Sequence, residues 1–336
     1  MVIQGSSTED FSKGKQVDPI KNLEINDRKK ANTTISKVVP WIIGLSILTY
    51  LIWRIKPQPL IEALLHTKLS IYVPSLVVFV YLSFLVDTQN LRALLNSFDY
   101  KLNWNESKII RGASYLIMVV DYTLGLGSVV YFLKASNKIP IVRGTALMMY
   151  FNYICQIALF VLMFSGYLMM DVSFAWLNKG MLIFLTIVIL SIIIIAVLKY
   201  SKHKLVMKVH RISVMKPFVE SSIVTYTNNL VYRVGYYFIN VLFSFVAIQA
   251  FNMNIPFMDV LFYVPLILLI ISIPVSPFGL GTAQASMLYL FKDYGSQPQI
   301  LAFSLVYSVT VVLLRSLLGA YYFALMIRKN IDSSTP

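Results

Sequence analysis

The stretch VLFYVPLILLIISIPVSPFGLGTAQASMLYLF, Val260 to Phe291, decides how this chain folds. Both flanks are apolar enough for a membrane interior, but the centre carries Pro274, Pro277, Gly279 and Gly281. Proline lacks the backbone donor that a helix needs, and glycine is a weak helix former. One such residue is tolerated in a membrane helix; four within eight positions predict a break. Lipid offers the open backbone no hydrogen bonds, so broken chain at membrane depth must be buried in protein or line a cavity. The stretch therefore reads as two short helices meeting at a break, not as one span.

Composition sets the surroundings of that break. Of 336 residues, 57% are hydrophobic and 13% charged, and the mean hydropathy is +0.71. Soluble domains carry about 25% charged residues, so most of this chain is kept from water. Further apolar stretches run at about Val39 to Trp53, Ser70 to Asn90, Gly112 to Leu133, Thr145 to Ser165, Met181 to Leu198, Leu230 to Ala250 and Ile300 to Ile327. Long apolar segments in lipid are expected to be helices, so the expected fold class is an all-α polytopic membrane protein. Gly112 to Leu133 contains Gly125-Leu126-Gly127, echoing Gly279-Leu280-Gly281. A second break is expected at that string.

Charge orients the spans. The net charge of +14 fits basic residues gathered in cytoplasmic loops better than nucleic-acid binding. Residues 1–37 are polar, without an apolar signal core, and read as a disordered cytoplasmic tail; residues 38–330 read as one transmembrane domain. The loop holding Lys199, Lys202, Lys204, Lys208, Arg211 and Lys216 has no acid and belongs inside. Five full crossings before it would put it outside. A re-entrant hairpin over Gly112 to Leu133 removes the conflict, with Arg111 and Lys138 on the same cytoplasmic side. A matching hairpin over Val260 to Phe291 opens outward. Arg54, Lys56 and Lys68 then fall outside, offset only by Glu62. The expectation is six full spans and two re-entrant hairpins in two inverted halves, about 38–175 and 176–330, with both termini cytoplasmic in the cell membrane. Interrupted segments at matching places in inverted repeats point to a transport site near the midplane.

The string Ile273-Pro274-Val275-Ser276-Pro277-Phe278-Gly279-Leu280-Gly281 resembles the Pro-Gly-Gly-Leu-Gly-x-x-Glu signature of the lysylphosphatidylglycerol synthase transmembrane (flippase-like) family. The resemblance covers roughly Pro40 to Ile327. The signature's glutamate falls on Gln284, and the glutamate expected near the first break has no clear counterpart. The resemblance implies an integral membrane protein that binds or flips lipid or lipid-linked glycan.

Ionisable residues inside a membrane default to function, with a partner. Arg315, near the middle of the last span, and Asp121, just before the first Gly-Leu-Gly, are the clearest cases. One reading holds an anionic headgroup with Arg315 and the backbone amides at Gly125, Gly127, Gly279 and Gly281, helped by Ser276, Thr282 and Gln284. The other is a structural Arg315–Asp121 pair. Asp87 and Arg233 lie nearer span ends and read as side chains that snorkel to the interface. The single Cys155 excludes an internal disulfide and reads as a buried small hydrophobe. His66, His203 and His210 lack metal-ligand spacing, and no metal or cofactor is expected.

Three functions remain in play. The first is a carrier or flippase for membrane lipids, anionic or lipid-linked. The second is a membrane enzyme of lipid or envelope-glycan synthesis, which would want a cluster of carboxylates or a His with a carboxylate; the sequence shows none. The third is an accessory subunit of an envelope-biosynthesis enzyme.

Overall fold

Residues 49, 50, 53, 57–118, 122–137, 139–170, 175–201, 212–273, 279 and 281–332 are described in this computed structural model, and every regular element among them is a helix. In chain order these are α1 (Pro57–Leu65), α2 (Leu69–Asn96), α3 (Trp104–Met118), α4 (Tyr122–Asn137), α5 (Ile141–Met169) and α6 (Ala175–Tyr200). They continue with α7 (Lys216–Glu220), α8 (Ile223–Ala250), α9 (Phe257–Ser272), α10 (Thr282–Leu290) and α11 (Gln297–Asp332). Five of them, α2, α5, α6, α8 and α11, are long and apolar enough to cross a membrane. The chain is an all-α polytopic membrane protein. The expected span at Val39 to Trp53 falls almost wholly outside the described residues.

One of the two expected breaks stands where the prolines and glycines put it. Helix α9 ends at Ser272 and α10 starts at Thr282. Between them Gly279 and Gly281 take φ of +66° and +80°, a region that side chains with a Cβ rarely adopt. A Cβ on Gly279 would also lie 2.6 Å from the Ile271 side chain.

The expected break at Gly125-Leu126-Gly127 is overturned. Helix α4 runs through that string without interruption, from Tyr122 to Asn137, after α3 has ended at Met118. Without a neighbouring proline, a glycine costs a helix only about 1 kcal/mol against alanine. Gly125 serves packing instead: a Cβ there would sit 2.0 Å from the Met118 side chain, so its absence lets the start of α4 fold against the end of α3.

Packing repeats in the two parts of the chain. Helices α2 and α8 run antiparallel face to face: Tyr72 meets Phe251 at 5.7 Å, and Phe79 stacks on Phe243 at 4.4 Å. Helix α3 packs on α11, and α9 packs on α5. Both contacts are close because a glycine faces backbone. A Cβ on Gly319 of α11 would lie 2.5 Å from the Leu116 nitrogen, and one on Gly166 of α5 would lie 2.5 Å from the Phe262 nitrogen. Exchanging α2–α5 with α8–α11 turns each of these three pairings into itself or another of them.

Contacts bring the end of α2 beside the start of α5, and the end of α8 beside the start of α11. The Arg143 guanidinium, at the start of α5, lies 5.5 Å from the ring of Phe98, just past α2. At the other end, Gln299 Nε2 of α11 donates to the carbonyl of Phe251, just past α8, at 2.9 Å. Because α2 and α8 are antiparallel, these are opposite ends. Helix α6 lies outside this arrangement, its apolar surface almost wholly exposed, tethered to α5 by Tyr153 Oη and Ser191 Oγ at 3.1 Å.

Candidate functional site

Four helices each turn a polar stripe toward one seam. On α2 the buried polar residues are Ser83, Asp87, Thr88 and Asn90; on α3 they include Ser107, Arg111 and Ser114, beside Tyr115. On α8 they are Asn229, Arg233, Asn240 and Ser244, with Tyr236 among them. Steps of three and four residues keep such side chains on one helix face. Helix α11 adds Ser308 and Arg315, seven residues apart and so on one face, about 10 Å from each other along the axis.

Asp87 is the centre. Arg111 Nε donates to its Oδ2 at 2.6 Å, and Tyr115 Oη donates to the same oxygen at 2.7 Å. Arg233 Nη1 lies 2.9 Å from Oδ1. Asp87 is 0% exposed, Arg111 4% and Arg233 3%. Aromatic faces cover the cations: Arg233 lies 4.0 Å from the Phe151 centroid and 4.8 Å from that of Tyr236. Arg315 lies 5.6 Å from the Phe79 centroid and 5.7 Å from that of Tyr115, and its Nη2 donates to Tyr236 Oη at 3.1 Å.

The arrangement is unbalanced in charge and in hydrogen bonds. Arg111 and Arg233 share one carboxylate and Arg315 is held by Tyr236 instead, so the described side chains carry positive charge in excess. Arg111 Nη1, Arg233 Nε and Arg315 Nε have no hydrogen-bond partner among the described residues, nor do Thr88 Oγ1, either amide atom of Asn90, or Asn229 Oδ1. Buried charge needs partners, and a buried donor left unpaired costs about 1–3 kcal/mol. Chemically the seam offers donors to an acceptor-rich anion. Among the described residues no group of His, Cys, Asp and Glu suited to a metal comes together.

The sequence-expected residues are distributed differently. Asp87 and Arg233 do not snorkel: the helices extend past the apolar stretches that suggested span ends, and the two side chains are buried against each other. Arg315 reaches Tyr236, while Asp121 and Ser276 lie outside the described residues. Gly125 and Gly127 are helical residues of α4, whose amides beyond the first turn are engaged in the helix. At the second break, Gln284 Oε1 accepts from the Gly281 N–H at 2.7 Å and its Nε2 donates to Ser308 Oγ at 3.2 Å. Thr282 Oγ1 donates to the Gly279 carbonyl at 2.9 Å. The break is thus tied to α11, on the helix face that also carries Arg315. Sequence reasoning missed Arg111, which it read as a basic residue flanking the first hairpin, and Tyr115, which fell inside the apolar stretch of that hairpin. Their spacing of four, with Ser107 four residues before, was the available signal.

No curated protein and no solved structure matches this chain. The model of the lysylphosphatidylglycerol synthase TM region matches residues 41–319, which contain Asp87, Arg111, Arg233 and Arg315, and the chain belongs to that family.

Proposed function

We propose that this integral membrane protein of lipid metabolism or transport is a carrier that moves an anionic lipid or lipid-linked precursor between membrane leaflets. The observation that supports it is the cluster of buried Asp87, Arg111 and Arg233 with half-buried Arg315, where α2 and α3 meet α8 and α11. A charge at the bilayer centre costs roughly 2.5 to 3.5 kcal/mol on insertion scales, which is hard to rationalise for a purely structural core. In this reading α2–α5 and α8–α11 belong to inverted halves, α3–α4 and α9–α10 are re-entrant hairpins, and the headgroup passes along the α2–α8 seam. In this reading the protein lies in the cell membrane with both termini in the cytoplasm, an orientation that the basic loops support.

The test is reconstitution into liposomes with labelled lipids that differ in headgroup. Protein-dependent movement of at least one anionic lipid between leaflets is the expected result; movement no faster than in protein-free liposomes for every lipid tried contradicts it. One observation favours a second reading, an accessory subunit of an envelope-biosynthesis enzyme. Gln284 is neutral where the family signature carries glutamate, and it is spent on capping α10. Co-purification with a synthetic enzyme, without lipid movement, is the outcome that selects it.

A further inference from the structure

We infer that Arg111, Arg233 and Arg315 hold the phosphate of a lipid whose headgroup is otherwise uncharged and hydroxylated, and that Asp87 is a resident counter-ion standing where that phosphate binds. The inference deepens the carrier reading and rests on it.

The unpaired groups specify the ligand. Arg111 Nη1, Arg233 Nε and Arg315 Nε are all donors, and all are buried without a partner among the described residues. Asp87 does not satisfy them: its Oδ2 takes the bonds from Arg111 Nε and Tyr115 Oη, while its Oδ1, 2.9 Å from Arg233 Nη1, is itself left without a hydrogen bond among the described residues. A phosphate ester brings several acceptor oxygens in a tetrahedral array, and guanidinium groups bind such oxygens in parallel pairs.

Charge then excludes a class of lipid. Lysylphosphatidylglycerol, for which the family is named, carries one phosphate charge against two ammonium groups. Its cationic end would meet a seam whose described side chains are in cationic excess, with the buried carboxylate of Asp87 already ion-paired to Arg111 and Arg233. A phosphodiester with a neutral headgroup meets no such repulsion.

The neutral part of the headgroup has its own partners. Asn90 lies three residues beyond Asp87 on α2, and Asn229 four residues before Arg233 on antiparallel α8. The two amides therefore sit at one level, a turn from the ion pair. Both are buried, and Asn90 leaves its oxygen and nitrogen unpaired while Asn229 leaves its oxygen. Paired donors and acceptors of this kind suit hydroxyl groups, which give and accept at once.

The experiment uses the full chain, purified and equilibrated with equal amounts of phosphatidylglycerol, lysylphosphatidylglycerol and phosphatidylcholine, with retained lipid counted by native mass spectrometry. Phosphatidylglycerol is expected at one per chain, about tenfold over either competitor, the discrimination worth one charge-assisted hydrogen bond or more. Millimolar inorganic phosphate should leave that retention unchanged; displacement would overturn the lipid assignment in favour of free phosphate. Asp87→Asn removes the resident competitor and should raise retention severalfold, whereas Arg233→Gln should lower it about tenfold. Equal retention of phosphatidylglycerol and lysylphosphatidylglycerol by the unmodified chain overturns the inference without any variant, as does lost retention in a helical Asp87→Asn protein. Selective retention without lipid movement in liposomes sinks the carrier reading and leaves the site. Movement of all three lipids at one rate, with no selective retention, does the reverse.

Discussion

Asp87 and Arg233, on α2 and α8, form an ion pair of 2.9 Å with side chains only 1% and 3% exposed. Arg111 shares the same carboxylate at 2.6 Å. One acid thus fastens the first half of the chain to the second, and removing it strands two buried cations. Asp87→Ala is expected to lower stability by about 3–5 kcal/mol in zwitterionic detergent. The double variant Asp87→Ala/Arg233→Met should recover part of that loss, since one stranded charge is gone. Thermal unfolding of the four proteins of the cycle measures the coupling; strictly additive losses would show that the pair does not fasten the halves.

Two glycines carry the close helix contacts. Gly166→Ala and Gly319→Ala each place a methyl group 2.5 Å from a backbone nitrogen of the facing helix, and each should cost about 1–3 kcal/mol by overpacking. Gly180→Ala on exposed α6, where a Cβ meets nothing within 4 Å, should be neutral or stabilise by up to about 1 kcal/mol. Melting temperatures of the three variants should fall into those two groups.

Gln284 joins the second break to α11 through Gly281 N–H and Ser308 Oγ. Gln284→Ala should destabilise by about 1–3 kcal/mol, because the buried Gly281 donor loses its acceptor. Gln284→Glu keeps that acceptor and restores the residue of the family signature, so it should cost less than alanine. A larger loss with glutamate than with alanine would show that burial of the carboxylate outweighs the cap.

Much of the fold was legible in the sequence, and the reasons for the exceptions are physical. Long apolar runs located the crossing helices, and Pro274 and Pro277 beside Gly279 and Gly281 located the second break. The first break was misplaced because glycine alone, at Gly125 and Gly127, marks close packing as readily as interruption. Helix ends were misjudged where polar residues continue a helix inside protein. Thr88, Gln89 and Asn90 looked like the edge of a span, yet α2 runs on to Asn96; Thr225, Asn228 and Asn229 precede the apolar run but lie within α8. Those polar turns hid the site, since they made Asp87 and Arg233 look interfacial. Arg315 stood out because apolar residues surround it on both sides in sequence.

Contacts between loops show which positions share one end of the bundle. Asn252 Nδ2 donates to the His66 carbonyl at 2.9 Å, which puts the ends of α1 and α8 together. At the opposite end Arg143 pairs with Glu220, and Lys199 Nζ donates to the Ser221 carbonyl. In a Cys155→Ala background, single cysteines at Asn252 and His66 should label from outside the cell. Cysteines at Lys138, Lys208 and Glu220 should label only after permeabilisation. External labelling at Lys138 would make the first hairpin a full crossing.

If the charged seam carries a lipid phosphate from one leaflet to the other, labelled phosphatidylglycerol must move between the leaflets of liposomes that hold the protein. Compared there are the unmodified chain, Arg315→Lys and Arg315→Ala, each checked for native helix content. The expected order is unmodified chain fastest, Arg315→Lys intermediate and Arg315→Ala slowed about tenfold or more, because guanidinium can grip a phosphate through two parallel bonds and ammonium cannot. Equal rates for the unmodified chain and a folded Arg315→Ala protein, or rates no higher than in protein-free liposomes, would contradict it.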